Sequence, residues 1–285
     1  MKMDNSDILF VCQLPDGYSF RNEFEYLKST NTDGNLVFSR NSITYAQDNG
    51  QHTILNRLKI RTEDINYYFN SDHAKEVIFG FSLAEFVRIT KGIGKRDGFK
   101  IYMTKNDQRA CCVLLSHSAQ VSAQQNVSYL NPKHVSLDNY EIPEPFKEKG
   151  EPNCSAPISE FCRSCSALNT AKCIHVRLIC YKDGIILDGL DASGKTVKKY
   201  GFGSTQVIID PLAKQSGQEV QPIVSHLVHV STIKAISRMT NISPQSSPIK
   251  FYFLPDCPIL ISVKVGVYGE HETYLRSEVD EINTT

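Results

Sequence analysis

One pattern recurs four times along the chain and leaves few folds open to it. An amphipathic stretch with helical spacing is followed by a turn and then by a strand-like hairpin. The four stretches are YSFRNEFEYLKST (18–30), SLAEFVRITKGIG (82–94), ISEFCRSCSAL (158–168) and HVSTIKAISRMTN (229–241). Their apolar faces hold Phe20, Phe24 and Leu27; Leu83, Phe86 and Val87; Ile158, Phe161, Cys165 and Leu168; and Ile233 and Ile236. Apolar residues three or four apart fall on one side of a helix and need a partner surface. The second and third stretches share a core, Glu-Phe-x-Arg, at Glu85–Arg88 and Glu160–Arg163. Ser82 and Ser159 stand in capping-type positions.

Between these stretches the chain reads as strands. NLVFSRNSITYAQ (35–47), HTILNRLKI (52–60), FKIYMT (99–104), ACCVLL (110–115), IHVRLICYKDGIILDGL (174–190), IKFYFL (249–254) and PILISVKVGVYG (258–269) are rich in β-branched and aromatic residues. Asp33-Gly34, Asn49-Gly50, Asp97-Gly98, Asp183-Gly184 and Ser193-Gly194 supply turns. Four helix–hairpin units predict an α+β fold of two similar domains, each with two helices on antiparallel sheet. The segment 116–157 is polar at both ends and carries Pro132, Pro143, Pro145, Pro152 and Pro157, as an extended surface connector would. The expected division is 1–131, a connector at 132–150, and 151–285.

A length of 285 residues suits two domains, and 41% hydrophobic with 22% charged residues is an ordinary globular balance. No apolar run reaches bilayer length, so no membrane partner is expected. The opening MKMDNSDILFVCQLPDG lacks an apolar signal region, which predicts a chain that is not secreted. The sequons at Asn126, Asn153, Asn241 and Asn283 are then accidental, and the nine cysteines are reduced thiols. Cys162, Cys165, Cys173 and His175 contain a Cys-x2-Cys spacing that a zinc site would use. That pair lies inside a helical pattern with no second Cys-x2-Cys after it, so it reads as part of a buried helix face. No phosphate-cradling glycine loop, nucleophile elbow or paired acid/base motif is present, so neither catalysis nor a cofactor is expected.

Formal net charge is zero, which excludes a surface basic all over and leaves room for a local stripe. At about 100° per residue, Arg163 and Arg238 point nearly opposite the apolar faces of their helices, and Lys234 lies round the side. Arg88 lies on the back of the second helix, Lys91 flanks its face, and Lys95 and Arg96 follow in the turn. Arg21 and Lys28 flank the first face, with Glu25 at the back. One such helix is unremarkable. Four of them in a neutral chain predict a basic surface suited to a phosphate backbone.

In order and spacing, these segments resemble the sliding-clamp family of proliferating cell nuclear antigen (PCNA) over nearly the whole chain. ISEFCRSCSAL followed by CYKDGIIL is similar to the opening helix and hairpin of that family's second domain. VSLDNYEIPEPF (135–146) resembles its interdomain connector. LPDCPILISVKV (254–265) with GEHETYLR (269–276) resembles its last hairpin and C-terminal strand, and DGNLVF…QHTILNRLKI its first hairpin. Low overall identity marks a divergent member, of viral or protist type.

The resemblance implies a head-to-tail homotrimeric ring around duplex DNA. Its channel cations would be Arg21, Lys28, Arg88, Lys91, Arg163 and Arg238, with Lys95, Arg96 and Lys234 added from helix geometry. It implies a hydrophobic partner pocket under the connector, at His52, Leu55, Leu137, Tyr140, Ile142, Pro143, Pro258 and Tyr274. Asp48 and Arg276-Ser277 depart from the family's pattern at that pocket. Subunits would join through AQQNVSYL (123–130) and KTVKKYGF (195–202), and Lys182 matches a lysine that the family can modify. Implied partners are polymerase and other clamp-binding-motif proteins, and a clamp loader. The implied location is the nucleus, or a cytoplasmic replication site for a viral protein. Two other readings stay open: a clamp-fold subunit of a checkpoint or transcription scaffold, and a zinc-containing enzyme.

Overall fold

In a computed structural model, residues 7–117, 126–136, 146–203, 221–243 and 247–277 are described. The repeating unit is larger than a helix and a hairpin. Each helix is entered from a strand and followed by three. β1 (Ile8–Leu14) runs into α1 (Gly17–Thr30), then β2 (Asp33–Ser39), β3 (Ser42–Asp48) and β4 (Ile54–Arg61). After a short β5 (Asn66–Phe69) come β6 (Glu76–Ser82), α2 (Leu83–Thr90), β7 (Gly98–Thr104), β8 (Asp107–Leu115) and β9 (Asn126–Leu130). The third unit is β10 (Cys154–Pro157), α3 (Ile158–Thr170), β11 (His175–Tyr181), β12 (Gly184–Leu190) and β13 (Thr196–Gly203). The fourth is β14 (Val224–His229), α4 (Val230–Ile236), β15 (Pro248–Tyr252), β16 (Ile259–Val265) and β17 (Gly269–Leu275). The lead-in strands escape the sequence reading because most run into their helices with no turn residue between, so alternation merges into helical spacing.

By contact the chain divides into two compact units. The first is Met1–Gln47, Asn56–Tyr140 and Lys264–His271, and the second Asp48–Leu55, Glu141–Val263 and Glu272–Thr285. In the first, one sheet has the order β5-β1-β7-β8-β9, and β4, β3, β2 and β6 follow one another in a second. In the other unit the orders are β13-β12-β11-β14 and β10-β15-β16-β17. Lead-in strands are exchanged within each unit. The strand ahead of α1 pairs with the first strand after α2, and the strand ahead of α2 with the first after α1. The second unit repeats this with β10 on β15 and β14 on β11. All four pairings are antiparallel. No single repeat completes its own sheet, which is why repeats come in pairs.

Helices pack in the same pairs, α1 on α2 and α3 on α4. The first core is ringed with phenyl groups: Phe20, Phe24, Phe81, Phe86 and Phe99 are each at most 2% exposed and interlock at 4.5–5.9 Å between centroids. The second packs Phe161 on Phe202 and Phe251, with aliphatic and cysteine side chains such as Ile158, Cys165, Leu168 and Ile236 buried beside them. Removing such a side chain from water is worth roughly 1.5–3 kcal/mol.

Helix ends differ from the sequence expectation. Asp16 caps α1, accepting from Ser19 N at 3.0 Å. Ser82 occupies the N-cap of α2 without a side-chain bond. Pro157, not Ser159, is the N-cap of α3, because β10 leads directly into the helix. The fourth helix ends at Ile236 and tightens into a 3-10 turn, Ser237–Asn241, that carries Arg238.

Candidate functional site

The helices hold their cations on the solvent side, and one cation is tied down. Arg21 is 21% exposed and pairs with Glu25 at 2.9 Å. Its Nη1 donates to Ile93 O at 2.8 Å and to Lys91 O at 3.3 Å. It therefore straps α1 to the turn after α2, where those carbonyls lack intrahelical donors. Arg88 is 74% exposed, with Glu85 at 3.9 Å, a separation at which an exposed pair contributes little. Lys28, Lys91, Lys95, Arg96, Arg163, Lys234 and Arg238 are exposed. Among the described residues none of these seven has a carboxylate within ion-pair range. The other acid on these backs, Glu160, is exposed in the first turn of α3. Each pair of helices thus presents long, free cationic side chains able to meet phosphates one by one.

The start of the connector is fastened to the first unit. Lys133 N donates to Gly80 O at 2.8 Å, Lys133 Nζ reaches Asp33 at 2.6 Å, and Asn131 reaches Glu85 at 2.9 Å. Gly80 permits this approach, since a Cβ there would stand 2.2 Å from Lys133 O. Leu137, Tyr140, Ile142 and Pro143 lie outside the described residues.

Where the connector resumes, in the second unit, Phe146, Tyr252, Leu260 and Tyr274 form a buried cluster, with Leu55 and Cys257 packed against it. Of the expected pocket residues, Leu55 and Tyr274 meet here. Pro258 is half-buried beside Cys257, and His52 is exposed. Phe146, Tyr252, Leu260 and Cys257 were missed. Phe146 sits edge-on to Tyr274 at 6.0 Å, and the aromatic in EPEPF was the available signal. Tyr274 donates its hydroxyl to Glu272 at 2.9 Å, and Lys149 pairs with the same carboxylate. The departures from the family pattern have local uses. Asp48 pairs with His52 and accepts from Gly50 N at 2.8 Å, closing the turn. Ser277 Oγ accepts from Leu227 N at 3.2 Å.

Both stretches expected to join subunits contain sheet edges: among the described residues β9 pairs only with β8, and β13 only with β12. Residues 123–125 lie outside the described ones. Lys182 is exposed in the β11–β12 turn. Cys162, Cys165 and Cys173 are buried, with Cys162 Sγ directed at Ile236 O at 3.8 Å. Burial pushes the Cys162 thiol up to about 11 and also raises that of Cys165, away from the thiolate a metal needs. Among the described residues no three His, Cys, Asp or Glu side chains converge as metal ligands. No helix there is long and apolar enough to cross a membrane.

Two helices on antiparallel sheet, made twice over with exchanged lead-in strands, define a PCNA-like clamp fold. The solved structures it matches include proliferating cellular nuclear antigen from Entamoeba histolytica, at a TM-score of 0.72 and 16% identity over 94% of this chain and 98% of that one. A PCNA2-PCNA3 complex from Sulfolobus tokodaii matches at 0.72 and 13% over 95% of this chain and 100% of that one. No family model matches, and no curated protein matches by sequence.

Proposed function

We propose that the chain is a DNA sliding clamp. Subunits join head to tail through β9 and β13 into a homotrimeric ring around duplex DNA. The ring acts as a processivity factor and not as an enzyme. It tethers polymerases and other clamp-binding proteins at the Tyr274 cluster beneath the connector, and a separate loader opens it. Its place of work is the nucleus or a viral replication site. The observation that carries this reading is the set of free cations on both helix pairs in a chain of zero net charge. Long side chains without carboxylate partners make weak, equivalent phosphate contacts, and none of them reads a base, which is what sliding requires. Arg21, being engaged, positions the α2 turn and contributes least to that contact.

Replacing Arg88, Arg163 and Arg238 together by Glu is the test. Stimulation of DNA synthesis on a primed circular template is expected to vanish. Each exposed substitution should shift folding stability by no more than about 0.5 kcal/mol. Unchanged stimulation in the folded variant refutes the channel.

A second reading is a subunit of a mixed ring serving as a scaffold. The Sulfolobus structure, a complex of two different PCNA chains, favours it. A trimer of the purified chain on gel filtration rejects the mixed ring, and a monomer rejects the homotrimer.

A further inference from the structure

We propose that the face of the β5-β1-β7-β8-β9 sheet turned away from the helices binds single-stranded nucleic acid by base stacking. The register puts Tyr68, Val11, Tyr102, Cys111 and Tyr129 in one row across all five strands. The next row on the same face is Asn66, Gln13, Lys100, Val113 and Val127; Cys111 and Val113 are themselves buried, so the fourth strand forms the floor of the face and the rings stand on either side of it. Residues two apart share a face, and the alternate set, Phe10, Cys12, Leu14, Phe99 and Ile101, is buried toward the core. Tyr68 is 42% exposed, Val127 46% and Tyr129 48%. With strands about 4.8 Å apart, Tyr102 stands roughly 10 Å along the row from Tyr68 on one side and from Tyr129 on the other.

Cations sit against these rings. Lys100 Nζ lies 5.4 Å from the Tyr102 centroid, and the Arg109 guanidinium 4.5 Å from that of Tyr129. Asp107 holds Arg109 through Nε at 3.0 Å and Nη2 at 2.9 Å, fixing its plane against the ring. Neither row contains an acid. Exposed aromatic rings beside Lys and Arg, with amide side chains in the next row, match what bases and phosphates ask of a single-strand platform. A peptide strand would add to a sheet edge instead. Duplex DNA keeps its bases stacked inside and has none to give. The platform therefore differs in position and in chemistry from the helix cations, which offer charge without rings.

A fluorescein-labelled oligothymidylate of ~16 nucleotides, near the upper size for one single-strand-binding domain, is the probe, read by anisotropy on the full chain. Saturable binding is expected. Tyr68→Ala with Tyr129→Ala should weaken it about tenfold or more, since stacking is the main term. Tyr68→Phe with Tyr129→Phe keeps the rings and should stay within about twofold. The Arg88, Arg163, Arg238 to Glu variant should weaken oligothymidylate through its added negative charge while leaving the crosslinks on the sheet tyrosines, which separates this site from the proposed channel. Photocrosslinking of an iodouracil oligonucleotide to the unaltered protein should land on Tyr68, Tyr102 or Tyr129, and that result does not depend on any variant folding. The proposal is overturned by crosslinks confined to the helices, by no saturable binding, or by full affinity in the alanine variant. It is also overturned if the alanine variant changes oligomeric state and leaves oligothymidylate binding intact, for the face is then a protein interface.

Discussion

The helices α2 and α3 carry the same four-residue core into two different interiors. Phe86 touches four phenyl rings, those of Phe20, Phe24, Phe81 and Phe99, whereas Phe161 touches two, Phe202 and Phe251. Glu85 is engaged by Asn131 and lies near Arg88, while Glu160 is exposed. What both keep is a fully buried ring and an exposed arginine on its far side. The backbone repeat therefore constrains where a large apolar side chain and a cation must stand, and leaves the neighbours free to change.

The largest expected contrast is in the rings. Phe86→Ala and Phe161→Ala should each cost about 3–5 kcal/mol, with Phe86 the costlier because more ring edges lose a partner. Urea unfolding of the two variants measures it, and equal losses would show that the aromatic ring of the first core adds nothing beyond burial. A smaller contrast lies in the cations. Arg21→Ala should lose about 1–2 kcal/mol, since it leaves the Lys91 and Ile93 carbonyls without a charged donor. Arg163→Ala should stay within about 0.5 kcal/mol. Matching values would mean that the Arg21 strap is not formed in solution. The gentlest probe is alkylation of the native protein near pH 8. Burial raises the Cys12 and Cys154 thiols to about 12 and Cys162 to about 11. Raised thiols stay protonated at that pH and lack the nucleophilic form. Cys257, the one cysteine that is not buried, should take the label alone, as mass spectrometry of peptides would show. Labelling at Cys162 or Cys165 would mean that the second core opens where the first stays shut.

Much of this was legible in residues. The four helices, most hairpins and the exposed cations follow from periodicity, because burial of one face is a local demand. The lead-in strands were not, since CSAP is four residues long and VSHLVH flows unbroken into its helix. Their pairing is nonlocal and leaves no mark in spacing. The engagement of Arg21 was hidden for the same reason, as its acceptors lie some seventy residues away. Tyr274 and Leu55 were reached through the family resemblance. Phe146 could have been taken from the same connector, but an aromatic after two prolines reads as a loop residue until its neighbour across the fold is known.

Lys264–His271 belongs to the first unit, and His271 bonds Glu23 at 2.6 Å with both side chains fully buried. A ribosome delivers that stretch long after the rest of the first unit. At ordinary elongation rates the opening half of the polypeptide waits on the order of ten seconds after its own residues have emerged. Throughout that interval the Glu23 carboxylate has no imidazole beside it. Biosynthesis of this protein must therefore shelter an unfinished N-terminal half, and a chain released short of residue 264 should be a substrate for proteases instead of a folded fragment.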